Sequence, residues 1–220
     1  GPGKSRTDKF LHFFLLRLVS PPARLKTASH DLSRFASCYE KRTKRGGFMV
    51  WFWYFLIYSF LGFLVEVAYV RLVGGVKRDR KCRLVLPICP VYGLGALAIL
   101  LLPPLVRDSL PLLFPAAALV CTAVEYVTGL FYEKVFRVSF WDYSHLPLNL
   151  GGRVCLLFAL FWGVLALLVL HVIHPTAAWL AARIPLWAFP PAVLATALDT
   201  LLTARLLRRT GDPNSLRWYA

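Results

Sequence analysis

Three carboxylates interrupt stretches of sequence that are otherwise apolar enough to lie inside a membrane. Glu66 falls within the apolar run 48–72, Glu125 falls within 110–136, and Asp199 interrupts the last run. An ionisable side chain at bilayer depth is costly, so such residues almost always face a protein interior or a cavity and mark functional positions. A carboxylate in such a place can take up and release a proton, which suits protonation-coupled movement. These residues therefore predict a polar interior within a membrane protein.

The carboxylate of the third apolar run, Glu125, shares its helical face with another polar residue. Helical spacing places Glu125, Gly129 and Tyr132 on one side, with Glu133 about a quarter of a turn further round. This face could form a working site, or a hydrogen bond that only joins two helices, and both interpretations stay open. Glu133 also lies near the membrane boundary beside Lys134, where it could simply be solvated.

The densest polar stretch, residues 140–153, follows this third run. Tyr143 suits the headgroup belt of a membrane, where tyrosine is enriched. Asp142, Asn149 and Arg153 together offer a carboxylate, an amide and a guanidinium beside a helix start. Such a group could bind a polar or anionic ligand with the help of backbone N–H groups. Alternatively, Asp142 and Arg153 could pair with each other and staple the loop.

Metal and cofactor chemistry find little support. His171 and His174 stand one turn apart before Pro175, but no third ligand is evident, so capping of a helix end is the better interpretation. The five cysteines form no C-x-x-C pair and indicate small packing residues rather than a disulfide framework. They are Cys38, Cys82, Cys89, Cys121 and Cys155. We expect no metal site and no cofactor, and no Walker A, nucleophile-elbow or zinc-protease motif marks the chain as an enzyme.

The elements that must position these residues are membrane helices. The chain is 58% hydrophobic and only 17% charged, which places it in the membrane class. Five apolar runs have about the length that a span needs. They are roughly 48–72, 88–106, 110–136, 152–174 and 185–207. The second run begins with Pro87 and Pro90 and predicts a broken or re-entrant helix. The expected fold is all-α and polytopic, with about five transmembrane helices.

Basic residues beside these runs predict contact with the membrane surface. The net charge is +15, and residues 1–47 hold eleven Lys or Arg against three Asp or Glu. Basic clusters beside spans contact anionic headgroups, and no aromatic–basic motif supports nucleic-acid binding. The surface contacts are Lys41, Arg42, Lys44, Arg45, Lys77, Arg78, Arg80 and Lys81. We divide the chain into a basic amphipathic segment at 1–47, a transmembrane domain at 48–210 and a polar tail at 211–220.

Three blocks of this sequence resemble a known family. They are Tyr58-Ser59 with Gly62 and Glu66; Cys89-Pro90-Val91-Tyr92-Gly93-Leu94-Gly95; and Glu125-Tyr126-Val127-Thr128-Gly129 through Glu133, Trp141-Asp142-Tyr143-Ser144, Asn149, Gly152 and Arg153. Together they are similar to the bacterial ABC-transporter type IV permeases over roughly residues 50–175. The resemblance implies a multi-pass protein of the bacterial inner membrane. Membrane lipids and a separate ATPase subunit are the implied partners, and a homo-oligomer also remains open.

Three functions compete on these observations. In a transport component, a set of polar residues would line a substrate or ion route. That set is Glu66, Tyr92, Glu125, Glu133, Asp142, Tyr143, Asn149 and Arg153. In an intramembrane enzyme acting on a lipid or lipid-linked phosphate, the carboxylates would serve as acid and base and Arg153 would hold the phosphate. In a membrane scaffold or sensor, the polar interior would be structural only.

Overall fold

The computed structural model describes residues 47–73 and 82–216, and this part of the chain is built almost wholly of helices. The helices are α1 (Gly47–Val73), α2 (Pro90–Leu100), α3 (Pro104–Arg107), α4 (Leu110–Phe136), α5 (Leu156–Leu168), α6 (His174–Arg183) and α7 (Phe189–Thr210). A π-helical turn, Val169–Ile173, joins α5 to α6, and short 3₁₀ turns occupy Leu186–Ala188 and Pro213–Leu216. Two short strands, β1 (Asn149–Leu150) and β2 (Val154–Cys155), pair antiparallel.

Four helical stretches are long and apolar enough to cross a membrane. They are Gly47–Leu72, Leu110–Phe136, Leu156–Arg183 and Leu186–Thr210. The second apolar run behaves differently: α2 has 11 residues and spans only about 16 Å, roughly half of the hydrocarbon core. The all-α polytopic fold is confirmed, and α2 is the segment whose prolines predicted an interrupted helix. The predicted surface contacts at 41–45 and 77–81, and the segment 1–46, lie outside the described residues.

The third spanning stretch, Leu156–Arg183, runs further than the sequence predicted. A helix end near His174 was expected because Pro175 follows it, but the stretch continues to Arg183, so that expectation is wrong. Proline lacks an N–H donor and its ring clashes with the carbonyl four residues earlier. The π turn over Val169–Ile173 is wider by one residue and accommodates the proline without ending the helix. His174 Nδ1 instead lies 2.8 Å from the Tyr58 hydroxyl.

Helix α1 turns a face of regular four-residue spacing towards the interior. Val50, Tyr54, Tyr58 and Gly62 are all buried on this face, which is the stripe that a helix presents at i, i+4 spacing. A side chain at Gly62 could not be accommodated, because a Cβ there would overlap the ring of Tyr92 on α2. The small residue therefore lets α1 and α2 approach closely.

Helix α4 carries a second stripe with the same spacing. Its buried residues are Leu113, Ala117, Cys121, Glu125 and Gly129. The first three pack with α2 and α5 in a core cluster with Ile99, Trp162 and Ala166. Interdigitation along rows of four-residue spacing is a common mode of helix packing. The stripe continues into Glu125, so the packing that forms the core also carries this carboxylate into the interior.

The segment that leads into α2 is held against α7 by polar contacts. The backbone N–H of Val85 donates to Asp199 Oδ1 at 2.8 Å, and that of Leu84 donates to Thr203 Oγ1 at 3.1 Å. Asp199 is only 3% exposed. This carboxylate, which the sequence predicted in a polar interior, therefore satisfies the backbone of an irregular segment that has no helical hydrogen bonds of its own.

Candidate functional site: an interhelical cavity

Four of the eight residues predicted to line a route meet at one cavity. The cavity has a volume of about 320 Å³ and lies among α1, α2, α4 and α5, with the loop after α4 closing one side. Glu66, Tyr92, Glu125 and Tyr143 all line it. They come from three helices and one loop, so helix packing brings together groups that lie up to 77 positions apart in the sequence.

The first carboxylate, Glu66, is held by α2. The Tyr92 hydroxyl donates a hydrogen bond of 2.7 Å to Glu66 Oε1. The close contact between Tyr92 and Gly62, one turn before Glu66, determines where this phenol lies. A hydrogen bond to a carboxylate is stronger than one between neutral groups, and more so where water is scarce. The tyrosine therefore orients the carboxylate at the cavity wall.

The second carboxylate, Glu125, is more deeply buried and more firmly held. It is 5% exposed. Tyr143 donates to its Oε1 at 3.0 Å, and Trp162 Nε1 donates to its Oε2 at 2.9 Å. An indole N–H can only donate, so the Oε2 atom is an acceptor, and both oxygens of this buried carboxylate accept hydrogen bonds. Donors from two other elements therefore hold this carboxylate in place at the cavity.

Sequence reasoning missed Trp162 as a site residue. It lies on α5 in an apolar run, where a large hydrophobic residue raises no question. The missed signal is the indole N–H, because a buried tryptophan usually finds an acceptor. The indole N–H of Trp162 therefore predicts an acceptor on another helix, and in the structure that acceptor is Glu125.

Aromatic rings form much of the remaining wall. Tyr143 stacks on Phe158 with a centroid separation of 4.5 Å, and Tyr92 lies 5.0 Å from Trp162. Phe158 in turn contacts Tyr69 of α1 edge-on at 6.2 Å. The cavity therefore offers ring faces and edges beside two carboxylates, a combination that can attract positive charge through the ring quadrupole.

Two thiols also line the cavity. The Sγ atoms of Cys82 and Cys89 are 3.2 Å apart, and both residues are buried. Cys121 and Cys155 are also buried and free. Among the described residues, no group of three or more His, Cys, Asp or Glu side chains could hold a metal ion.

Of the other predicted residues, Glu133 and Arg153 form an ion pair outside the cavity. Arg153 Nε donates to Glu133 Oε2 at 2.9 Å, and Arg153 Nη2 donates to the same oxygen. The carboxylate raises the pKa of the Arg153 guanidinium. The alternative in which Asp142 pairs with Arg153 is replaced by this pair, because Glu133, at the end of α4, lies next to the returning loop.

The last two predicted residues, Asp142 and Asn149, shape the loop that carries Tyr143. Asp142 Oδ1 accepts a hydrogen bond of 2.9 Å from the Ser144 N–H, which lowers the pKa of the Asp142 carboxyl. Asn149 donates to the Leu146 carbonyl at 2.7 Å and accepts from the Gly152 N–H at 3.1 Å. Both are absent from the described lining of the cavity. They act on the site by holding the backbone on either side of the loop.

A left-handed turn completes this loop. Gly151 and Gly152 have φ values of 59° and 70°, which glycine adopts without strain. The turn sends the chain back so that β2 pairs with β1 and the Gly152 carbonyl accepts a hydrogen bond of 2.7 Å from the Tyr143 N–H. The loop is therefore a folded cap that presents the Tyr143 ring to Glu125.

Together, the four long apolar helices and the closely packed interior define a polytopic α-helical membrane protein. The family model described as "Putative ABC-transporter type IV" matches residues 53–204, more than half of the chain, and the chain belongs to this family. The resemblance drawn from the three sequence blocks is thereby confirmed. No curated protein and no solved structure matches the chain. Family and helices together support a membrane transport component.

Proposed function

We propose that the chain is the membrane-spanning subunit of a transporter and that its cavity forms the substrate or ion route. The observation that carries this proposal is the convergence of two carboxylates from different spans, Glu66 on α1 and Glu125 on α4, on one cavity. A protein that needed only to join its helices would not require an unfilled volume beside both charges. Cavities of this size are typical of small-molecule sites.

The way the carboxylates are held suits a site that changes during a cycle. Each carboxylate belongs to one helix and is bonded by a donor from another element, Tyr92 for Glu66 and Tyr143 for Glu125. Relative movement of α1, α2 and α4 would therefore alter the hydrogen bonds and the charge balance of the site. Such coupling lets a conformational change bind and release a ligand or a proton.

Energy for the cycle comes from a partner in this proposal. The sequence has no Walker A motif, so nucleotide hydrolysis requires a separate ATPase subunit, as the family description implies. A proton gradient acting on the buried carboxylates is the other source that this site could use. We place the assembly in the inner membrane of a bacterium.

The enzyme alternative has weaker support in the geometry. It requires Arg153 to hold a phosphate near the carboxylates. The guanidinium instead pairs with Glu133 and lies 5.6 Å from the Tyr126 ring centroid, and it is absent from the described lining of the cavity. The scaffold alternative assigns no role to the cavity. The same experiment tests the enzyme alternative and the scaffold alternative.

The test is native mass spectrometry of the protein purified from its own host in mild detergent, combined with a double variant, Glu66→Gln with Glu125→Gln. We expect an ATPase subunit to co-purify with both the unaltered chain and the double variant. Cellular transport should be lost in the double variant. Asp108→Asn removes an exposed carboxylate from the loop before α4 and is the matched control. A retained lipid-linked phosphate without any protein partner would favour the enzyme. Full cellular function of the double variant would contradict both the transport hypothesis and the enzyme hypothesis.

A further inference from the structure

The cavity has an opening on the outer surface of the helices. Val65 and Tyr69 of α1 line it, as do Phe161, Val164 and Leu168 of α5. All five are also exposed, from 37% for Tyr69 to 58% for Val164. They lie in stretches long and apolar enough to span the membrane, so their exposed surface faces lipid. The cavity therefore opens sideways, between α1 and α5, into the hydrocarbon layer.

The inner end of the cavity has the opposite character. Glu66 and Glu125 form its charged groups, and no Lys, Arg or His occurs among the described residues that line it. Both oxygens of Glu125 accept hydrogen bonds, and both donors are uncharged side chains. A carboxylate held in an apolar environment favours a positively charged ligand, because attraction is strong where water is excluded.

The wall also discriminates between kinds of cation. Calcium takes six to eight oxygen ligands, and magnesium requires a near-octahedral set. Apart from the carboxylates, the polar groups of the described lining are phenols, indole N–H groups and thiols. Ring faces such as those of Tyr143, Phe158 and Tyr92 attract an organic cation and pack against its apolar body.

We propose that the cavity binds a lipophilic organic cation, an ammonium or similar centre on an apolar body, that enters from the bilayer between α1 and α5. This inference rests on the transport function proposed above and names the substrate class of that site. The cation lies against Glu125 and Glu66, and its apolar part extends towards Val65 and Val164. The same chemistry is available from a free amphiphilic cation or from the amine headgroup of a lipid.

The experiment uses two ions of the same shape and opposite charge, tetraphenylphosphonium and tetraphenylborate. The full chain is placed in phosphatidylglycerol nanodiscs, and binding of each labelled ion is measured by equilibrium dialysis against empty nanodiscs. We expect saturable binding of the cation only. Glu125→Gln and Glu66→Gln should each weaken it about tenfold or more, the change that follows from losing one charge contact. Asp108→Asn should bind as the unaltered chain does.

The glutamine variants are expected to fold. A glutamine at 125 can accept from Trp162 through its oxygen and donate to the Tyr143 hydroxyl, which is both donor and acceptor. Size-exclusion chromatography checks each variant, and Glu66→Gln tests the proposal independently of Glu125. Equal binding of the two ions, or cation binding unchanged in both variants, would overturn it.

A second lipid composition separates the two sources of the cation. Phosphatidylethanolamine added to the nanodiscs should leave tetraphenylphosphonium binding unchanged if the ligand is a free cation. It should compete if an amine headgroup occupies the site, and either result supports the cation class. The assay needs no ATPase, so failure to bind the cation leaves the transport proposal standing. Absence of an ATPase partner, conversely, leaves the binding result intact.

Discussion

Trp162 Nε1 donates a hydrogen bond of 2.9 Å to Glu125 Oε2 across the interface of α4 and α5. The same interface contains Ala117, Cys121 and Ala166, all buried. The small side chains bring the helices close enough for the indole to reach the carboxylate. A polar contact of the cavity is thus built into the apolar core of the protein.

Replacement of Trp162 by phenylalanine tests how far this hydrogen bond stabilises the protein. Trp162→Phe removes a donor to a buried carboxylate while keeping most of the ring, and we expect a loss of about 1–3 kcal/mol in stability. Thermal unfolding in mild detergent measures it. Trp187→Phe is the matched control, because Trp187 is 76% exposed and its replacement should have little effect. Equal shifts for the two variants would contradict the prediction.

Gly62→Ala tests the close approach of α1 and α2. The new methyl group would overlap the Cβ and Cγ atoms of Tyr92, which cannot move without displacing the backbone of α2. We expect a cost of roughly 1–3 kcal/mol from overpacking and a displaced Tyr92, detectable as weaker cation binding at the cavity. Gly47→Ala adds a methyl group where nothing lies within 4 Å and should unfold at the same temperature as the unaltered chain.

Oxidation tests the contact between the two cavity thiols. The Sγ atoms of Cys82 and Cys89 are 3.2 Å apart, and a small shift of either side chain brings them to bonding distance. Under a mild oxidant such as diamide, we expect a disulfide between these residues, identified by peptide mass spectrometry. Cys121 and Cys155, which are buried and free, should still be alkylated when the oxidised protein is afterwards unfolded in the presence of an alkylating agent. Persistence of both cavity thiols as free groups would show that they are held further apart.

The loop that presents Tyr143 should respond to acid through Asp142. The Ser144 N–H lowers the pKa of this carboxyl in the folded protein from its usual 3.8. Its stabilising contribution is therefore complete above the unfolded-state pKa and is lost as the pH falls through the lower folded-state pKa. We expect unfolding temperatures of the unaltered chain and Asp142→Asn to differ by a constant amount above about pH 5. They should converge only as the pH falls below 3.8, through the lower folded-state pKa. A difference independent of pH would contradict this assignment.

Much of the fold followed from the sequence because its signals are local. Apolar runs of membrane length, the prolines at the start of α2 and the helical spacing of Glu125 and Gly129 are read within one segment. Four of the five runs form helices of spanning length, and the prolines and the helical spacing also have their counterparts in the structure. The rule that ionisable groups avoid lipid led to Glu66 and Glu125 without knowledge of any neighbour. Pro175 led to a wrong prediction of a helix end, because a π turn is a local backbone adjustment that amino-acid composition does not indicate.

The pairing of these residues depended on the tertiary structure. Helical periodicity determines which face a side chain occupies, but not which other helix that face meets. Arg153 pairs with Glu133 rather than Asp142, Asp199 binds the backbone of Val85, and Trp162 reaches Glu125. Each contact joins segments separated by 20 to 114 positions. Such contacts arise from how the helices and the segments that connect them pack, and the cavity between the two carboxylates is a product of that packing.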